Sequence, residues 1–159
     1  MFYLLTNQPI LVILAFLFGA FGLTFLLLSS SAEGLNNVRR TILFISILAL
    51  AVGLFSALSF DQAMSGYQFS CNILRLRDYN ITFNLGVDGL SMVFLLLTLY
   101  TFPTFFLAAG STTHLPKQYY TYLLFMEILL VLTFTVTDLF YFFILFESLL
   151  IPMFLVIGI

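Results

Sequence analysis

Two glutamates lie inside long apolar stretches of this chain, and both are of a type that can take up and release protons. Glu147 lies near the middle of the otherwise apolar residues 139–159, five residues before Pro152. A carboxylate at mid-membrane depth is costly, and such groups commonly mark proton or ion paths. The sequence therefore nominates Glu147 for proton transfer, and an accidental neutral acid held by a hydrogen bond is the alternative.

Glu127 is the second candidate, because its spacing from Glu147 suggests a similar depth. Almost no polar sequence separates two apolar stretches near Thr137, which predicts a tight antiparallel helical hairpin. Each glutamate lies ten residues from Thr137, or about 15 Å along a helix. The rotation of the helices is left open, so Glu127 is either a proton-transfer residue or a neutral interhelical hydrogen-bonding group.

The elements that position these groups follow from composition. Hydrophobic residues make up 62% of the 159 residues and charged residues only 8%, against about 25% charged in soluble domains. The chain is therefore predicted to be an integral membrane protein. Its single cysteine, Cys71, and its single histidine exclude an internal disulfide and a cysteine or histidine metal cage, so no metal site is predicted. Nothing in its charge indicates a nucleic-acid partner.

The predicted fold class is all-α, a polytopic transmembrane bundle with five spans in a single membrane domain over residues 1–159. Each span is about 20 residues long, as a ~30 Å hydrocarbon core requires of an α-helix. Asp88 and Asp138 are predicted to cap the third and fifth spans, and alternation over residues 80–85 predicts a short strand. The spans are predicted at about 10–29, 41–60, 90–109, 119–137 and 139–159.

The ends of the chain and its orientation are also predicted. No Arg- and Ser-rich leader precedes the first apolar stretch, so that stretch is interpreted as a retained helix. Arg39, Arg40 and Lys117 fall on one side of the membrane, and Arg75 and Arg77 fall on the other. The positive-inside rule then places the amino terminus outside.

Two stretches resemble a known family of membrane subunits. The sequence GVDGLS at 86–91, followed by VFLLLT at 93–98, is similar to the third-helix signature of chain 4 of NADH:ubiquinone oxidoreductase. The sequence DLFYFFILFE at 138–147, followed by LIPMFL at 150–155, is similar to its fifth-helix signature. Related antiporter-like chains share the glutamate without this whole pattern. The resemblance in sequence extends from about Asn84 onward. Before Asn84, only the arrangement of the predicted helices is similar.

The resemblance implies a proton-translocating module in the membrane arm of respiratory complex I, located in the mitochondrial inner membrane or a bacterial plasma membrane. It matches Glu147 to the family glutamate that interacts with a lysine on the seventh helix. It matches Glu127 to a position that is glutamate in some members and neutral in others. No cofactor is expected in this chain; NADH, flavin, iron–sulfur clusters and ubiquinone are expected in other subunits. The implied partners are other membrane-arm subunits and lipids.

One departure from the family limits what the resemblance implies. Family members continue well beyond a fifth helix, whereas this sequence stops within the fifth-helix signature. It is therefore interpreted as the N-terminal fragment of a larger antiporter-like fold, with the missing helices supplied by a second chain of a split subunit or lost. Two other functions stay open, a structural scaffold of the same complex and a subunit of a cation/proton antiporter.

Overall fold

A computed structural model of the protein describes residue 13 and residues 35–61, 63–64, 66–76, 81–108 and 116–158. These residues are mostly helical, with one small sheet. In chain order the elements are α1 (Leu35–Leu58), β1 (Gln68–Leu76), β2 (Ile81–Val87), α2 (Gly89–Ala108), α3 (Pro116–Thr135) and α4 (Leu139–Ile157).

The described residues contain four helices that are long and apolar enough to cross a membrane. Because lipid offers no hydrogen bonds to the backbone, such apolar stretches satisfy their own backbone groups as helices. The second to fifth predicted spans match these helices to within a few residues at their ends. The first predicted span, 10–29, lies outside the described residues except for Ile13, which is helical and buried. The four spans cover Arg39–Leu58, Gly89–Ala108, Gln118–Thr135 and Leu139–Ile157.

Both predicted aspartate caps are confirmed. Asp88 Oδ1 accepts a hydrogen bond from the Ser91 backbone N–H at 2.8 Å, and Ser91 Oγ accepts one from the Asp88 N–H at 2.9 Å. This reciprocal pair fixes the first turn of α2. Asp138 Oδ1 accepts from the Phe140 N–H at 2.9 Å and caps the start of α4.

The core lies between α1, α2 and α3. Gly53 allows α1 and α2 to approach closely, because a Cβ there would lie 2.5 Å from Leu99 Cδ1. The helix α4 packs mainly on α3, and within it only Pro152 is buried. The helices α1 to α3 therefore form a packed unit, and α4 is an outlying helix. The buried apolar side chains of this unit include Ile42, Ala49, Leu95, Leu99, Leu124 and Ile128.

A two-stranded antiparallel sheet accompanies the helices, which otherwise agree with the predicted all-α class. Residues 81–85 of the predicted strand lie in β2, and residue 80 lies outside the described residues. The strand β2 pairs with β1, which the sequence pattern did not predict. The register shifts twice along β1, so its side chains do not follow the simple alternation that marks a strand. The fold class is accordingly mostly α, with one β-hairpin.

The hairpin is tied to the connection between α3 and α4. Asn84 O accepts hydrogen bonds from Thr137 N at 3.1 Å and Thr137 Oγ1 at 3.2 Å. Leu85 forms a bridge with Val136, and Leu85 is fully buried. The strand β2 therefore covers the short turn that sets how α3 and α4 pack against each other.

Basic residues lie at the opposite end of the bundle. Arg39 Nη2 donates a hydrogen bond to Leu107 O, in the last turn of α2, at 3.2 Å. A cation at a helix C-terminus satisfies carbonyls that have no partner within the helix and complements the helix dipole. The side chains of Arg75, Arg77 and Lys117, on which the predicted orientation also depends, lie outside the described part of the chain.

Candidate functional site

Glu127 lies in the interior of the bundle. It is on α3, its side chain is fully buried, and its Oε1 accepts a hydrogen bond from Ser46 Oγ on α1 at 3.1 Å. Leu124 and Val131, one turn away on either side of Glu127, are also fully buried. The acid therefore occupies an apolar interface between helices, and among the described residues it is hydrogen-bonded to Ser46 of a different helix.

The two carboxyl oxygens of Glu127 differ in hydrogen bonding. Oε2 is buried and has no hydrogen-bond partner among the described residues. Burying an unpaired carboxylate is far more costly than burying a neutral acid with a hydrogen bond. An ionised Glu127 would therefore leave one carboxylate oxygen unpaired in an apolar interface.

Glu147 is exposed on α4, where its environment differs from that of Glu127. Phe146 and Ile151, on the same helix, are also exposed, whereas Pro152 is buried. The sequence left the rotation of the two helices open, and the structure places Glu127 inside the bundle and Glu147 on its outer surface. In a membrane, the outer face of α4 would set Glu147 against lipid unless another helix covers it.

The backbone near Glu147 has an unusual hydrogen-bonding pattern. Pro152 lies inside α4 and has no N–H to donate to the carbonyl of Ser148. The Ser148 hydroxyl donates to Ile144 O at 2.7 Å. A carbonyl without its helical donor therefore lies next to Glu147 in sequence, as the proline predicts.

The two capping aspartates have structural roles at the ends of helices. The Ser91 hydroxyl and then the Ser91 backbone N–H lower the pKa of Asp88 below its usual 3.8. Asp88 also borders a cleft of about 360 Å³ between β2, α2 and α3, which Ser91 and Thr133 help to line. Neither Glu127 nor Glu147 lines this cleft. Within the described residues, no group of three His, Cys, Asp or Glu side chains is placed to hold a metal ion.

Ser46 is the residue of this site that sequence reasoning missed. It lies in an apolar span that also contains Ser56, which is buried as well. A serine within a span is a general signal for an interhelical contact, but the two serines are indistinguishable by pattern. Only the packing of α1 against α3 shows that Ser46, and not Ser56, meets a carboxyl group.

Four apolar helices and two carboxyl groups within their spans define the class as a polytopic α-helical membrane protein. No family model matches the chain. The chain is 39% identical to NADH-ubiquinone oxidoreductase chain 4 of Chondrus crispus over 157 residues, which cover 98% of this chain and 31% of that protein. Identity to chain 4 of Arabidopsis thaliana is 34% over 123 residues, covering 77% of this chain and 25% of that protein.

A bacterial protein gives a similar match. NADH-quinone oxidoreductase subunit M of Rhodobacter capsulatus is 34% identical over 124 residues, covering 78% of this chain and 24% of that protein. The chain is a homologue of NADH-ubiquinone oxidoreductase chain 4 and subunit M, which confirms the resemblance carried by residues 86–98 and 138–158. It spans less than a third of the length of these relatives.

Proposed function

We propose that this chain is a membrane-arm subunit of a proton-pumping NADH:ubiquinone oxidoreductase and contributes to proton translocation through Glu147. Glu127 acts as a second proton-transfer residue in this proposal. The oxidation of NADH and the reduction of quinone take place in other subunits, which carry the flavin, the iron–sulfur clusters and the quinone site. The chain would therefore belong to an enzyme without carrying out redox chemistry itself.

The observation that carries the proposal is the placement of two acids on consecutive membrane-crossing helices. Glu127 is enclosed by α1 and α3 with one hydrogen bond, and Glu147 is presented on the outer face of α4. One acid is thus shielded inside this chain, and the other is available to a group from outside it. Such intramembrane acids commonly serve proton pathways, and the relatives are subunits of NADH-oxidising complexes by name.

The exposed face of α4 supports a partner chain. The helix α4 is apolar and mostly exposed, with Phe143, Ile151 and Phe154 all at least 60% exposed. A large exposed apolar face rimmed by a carboxyl group marks an interaction surface or a lipid-facing one. We propose that another polypeptide with helices of the antiporter-like fold covers this face, together with other membrane-arm subunits and lipids.

The same proposal includes the arrangement in the membrane. In this proposal residues 10–29 would cross the membrane as a fifth span ahead of α1, and the whole chain would be one multi-pass domain of the mitochondrial inner membrane. A bacterial plasma membrane is the alternative location, and the relatives include proteins of both kinds of source. The span over 10–29 is tested by whether an engineered cysteine at each of its two ends reacts from opposite sides of the membrane.

The membership of the complex is tested by isolating the chain with its natural partners. A tag on this chain should co-purify NADH:quinone reductase activity together with flavin and iron–sulfur subunits. Reconstituted in vesicles, that preparation should acidify or alkalinise the lumen during NADH oxidation. Recovery of the chain with proton-exchange activity but without flavin would favour a cation/proton antiporter instead.

A scaffold role in the same complex is the second candidate. The feature that favours it is α4, whose exposed apolar surface needs a neighbour whether or not Glu147 titrates. One comparison distinguishes a proton-transfer role from a scaffold role. It compares the proton-to-electron ratio of the parent complex with that of the Glu147→Gln complex. Equal ratios and rates would favour the scaffold.

A further inference from the structure

Ser46 uses its hydroxyl group differently from the buried residues Ser56 and Thr133. Ser56 donates to Val52 O at 2.7 Å and Thr133 to Leu129 O at 2.7 Å, both within their own helices. Such bonding to the carbonyl four residues earlier is the usual arrangement for a hydroxyl in an apolar helix. Ser46 instead donates to Glu127 on a different helix.

This hydrogen bond makes the two carboxyl oxygens of Glu127 unequal. Oε1 accepts the hydroxyl hydrogen of Ser46 at 3.1 Å, whereas Oε2 has no partner among the described residues. A neutral acid has a carbonyl oxygen, which is the better acceptor, and a second oxygen that carries the proton. With Oε1 accepting from Ser46, Oε2 is the oxygen left to carry the proton of the neutral acid.

We propose that Ser46 is a positioning residue for Glu127, holding Oε1 so that Oε2 carries the exchangeable proton. The inference rests on the proposed role of Glu127 in proton transfer. In each cycle one proton joins Oε2 from an external donor and one proton leaves it to an external acceptor. The O–H bond of Ser46 stays intact throughout.

The same hydroxyl serves both protonation states. After the proton leaves Oε2, the Ser46 hydroxyl donates to a charged oxygen, and such hydrogen bonds are shorter and stronger than neutral ones. Ser46 thus reduces the cost of the ionised state in an apolar interface without supplying a counter-charge. Removing the hydroxyl should slow proton release from Glu127 and should leave the packing of α1 almost unchanged, since Ser and Ala have similar volumes.

The contact is tested by infrared spectroscopy of the assembled complex. A carboxylic acid C=O band that disappears in Glu127→Gln is assigned to Glu127. Ser46→Ala should move this band to higher wavenumber because a donor to the carbonyl oxygen is lost, and Ser46→Thr should restore it. Ser56→Ala is the matched control, since it removes a buried hydroxyl from the same helix and should leave the band in place.

An unshifted band in Ser46→Ala, or the absence of a Glu127 acid band in the parent complex, would overturn the inference. Should Ser46→Ala fail to assemble, Ser46→Cys provides the same comparison. Its thiol is a weaker donor of similar size, so it should give a smaller shift in the same direction.

The role in proton transfer is tested by a double-mutant comparison. Ser46→Ala should lower coupled NADH oxidation about threefold, the factor typical of one interhelical hydrogen bond, with the KM for NADH unchanged. Added to Glu127→Gln, it should cause no further loss, because the group that it positions is already gone. An equal loss in both backgrounds would show a general packing defect and overturn the positioning role. Parent-like pumping by Glu127→Gln together with a shifted band in Ser46→Ala would instead overturn the proposed transfer role of Glu127.

Discussion

Glu127 and Glu147 lie ten residues on either side of Thr137, yet one is enclosed by the bundle and the other is exposed on its surface. The two glutamates are equally spaced from the short turn between α3 and α4, which contains Thr137. The difference in environment comes from position, because α3 is packed between neighbouring helices and α4 lies outside them. The two acids therefore differ in access, since Glu127 is enclosed within this chain and Glu147 lies on its outer surface.

The first prediction concerns the charge of Glu147. In a complex that assembles, Glu147→Gln should lower proton pumping and coupled NADH oxidation together, because blocking one step of a tightly coupled machine stalls the others. We expect a loss of at least about tenfold, since positioned proton-transfer groups contribute about 10²–10⁴-fold. Glu147→Asp should retain part of the activity, because it keeps the carboxylate one methylene shorter. Vesicle pumping and NADH oxidation rates measure both.

The matched control for that change is Ser148→Ala. Its hydroxyl bonds Ile144 O in its own helix, so removing it alters a polar group beside Glu147 and leaves the carboxyl in place. Ser148→Ala should therefore pump like the parent. If Glu147→Gln also pumps like the parent, the scaffold role becomes the better account of α4.

The second prediction concerns what covers Glu147. A charged group facing hydrocarbon is costly, and intramembrane charges usually pair with one another. We expect a helix from a companion chain to bring a lysine within a few ångströms of the Glu147 carboxylate. A structure of the assembled complex measures this distance. Density for lipid alone around the carboxylate would remove the basis for its proton-transfer role.

The sequence predicts where the helices of this chain begin and end, but it does not predict which face of each helix is buried. Long apolar stretches and the capping aspartates Asp88 and Asp138 locate the helices directly, because spans and caps depend on local sequence. These helices are apolar around most of their circumference, so no hydrophobic stripe indicates which side faces inward. The burial of Glu127 and the exposure of Glu147 could therefore be learned only from the packing.

The pairing of β1 with β2 and the hydrogen bond between Ser46 and Glu127 could not be predicted from the sequence, for related reasons. Residues of β2 alternate, whereas β1 contains register shifts that remove the alternation expected of a strand. The hydrogen bond between Ser46 and Glu127 joins residues 81 positions apart. Contacts between residues so far apart in the sequence depend on how the helices pack, and helix packing cannot be predicted from a single sequence.

The third prediction concerns the chain on its own. The exposed apolar side chains of α4 need a partner or lipid, so the isolated chain should be unstable in detergent and prone to aggregate. Hydrogen exchange should be faster in α4 than in α3, since local stability follows buried contacts. A well-behaved monomer with slow exchange throughout all its helices would contradict the split-subunit proposal.

The fourth prediction concerns the Asp88 cap. Asp88→Ala should destabilise the first turn of α2 by about 1 kcal/mol, as loss of an N-cap usually does. The pKa of Asp88 lies below 3.8 in the folded chain, so its ionised form is favoured by folding. The stabilisation is therefore complete above the unfolded pKa and is lost as the pH falls through the lower folded value.

Hydrogen exchange at the start of α2 measures that loss. Asp88→Asn is the informative comparison, because Asn still accepts the Ser91 N–H hydrogen bond and does not titrate in this range. Its exchange should change less than that of the parent when the pH is lowered below about 4. The same acid response in both proteins would show that the cap does not depend on the charge of Asp88.

The last prediction concerns Gly86, where β2 meets both the residue before β1 and the turn before α4. A Cβ at Gly86 would lie 3.0 Å from Tyr67 Cβ and 3.1 Å from Thr137 Cγ2, closer than side chains normally approach. Gly86→Ala should therefore push the hairpin away from the turn and cost about 1–3 kcal/mol, as overpacking usually does. Because Thr137 N donates to Asn84 O, the Thr137 amide should exchange faster in the variant. Gly66→Ala is the control, since nothing lies within 4 Å of a Cβ there, and it should leave this amide unchanged. Equal protection of Thr137 in both variants would mean that the hairpin absorbs the added methyl group without moving from the turn.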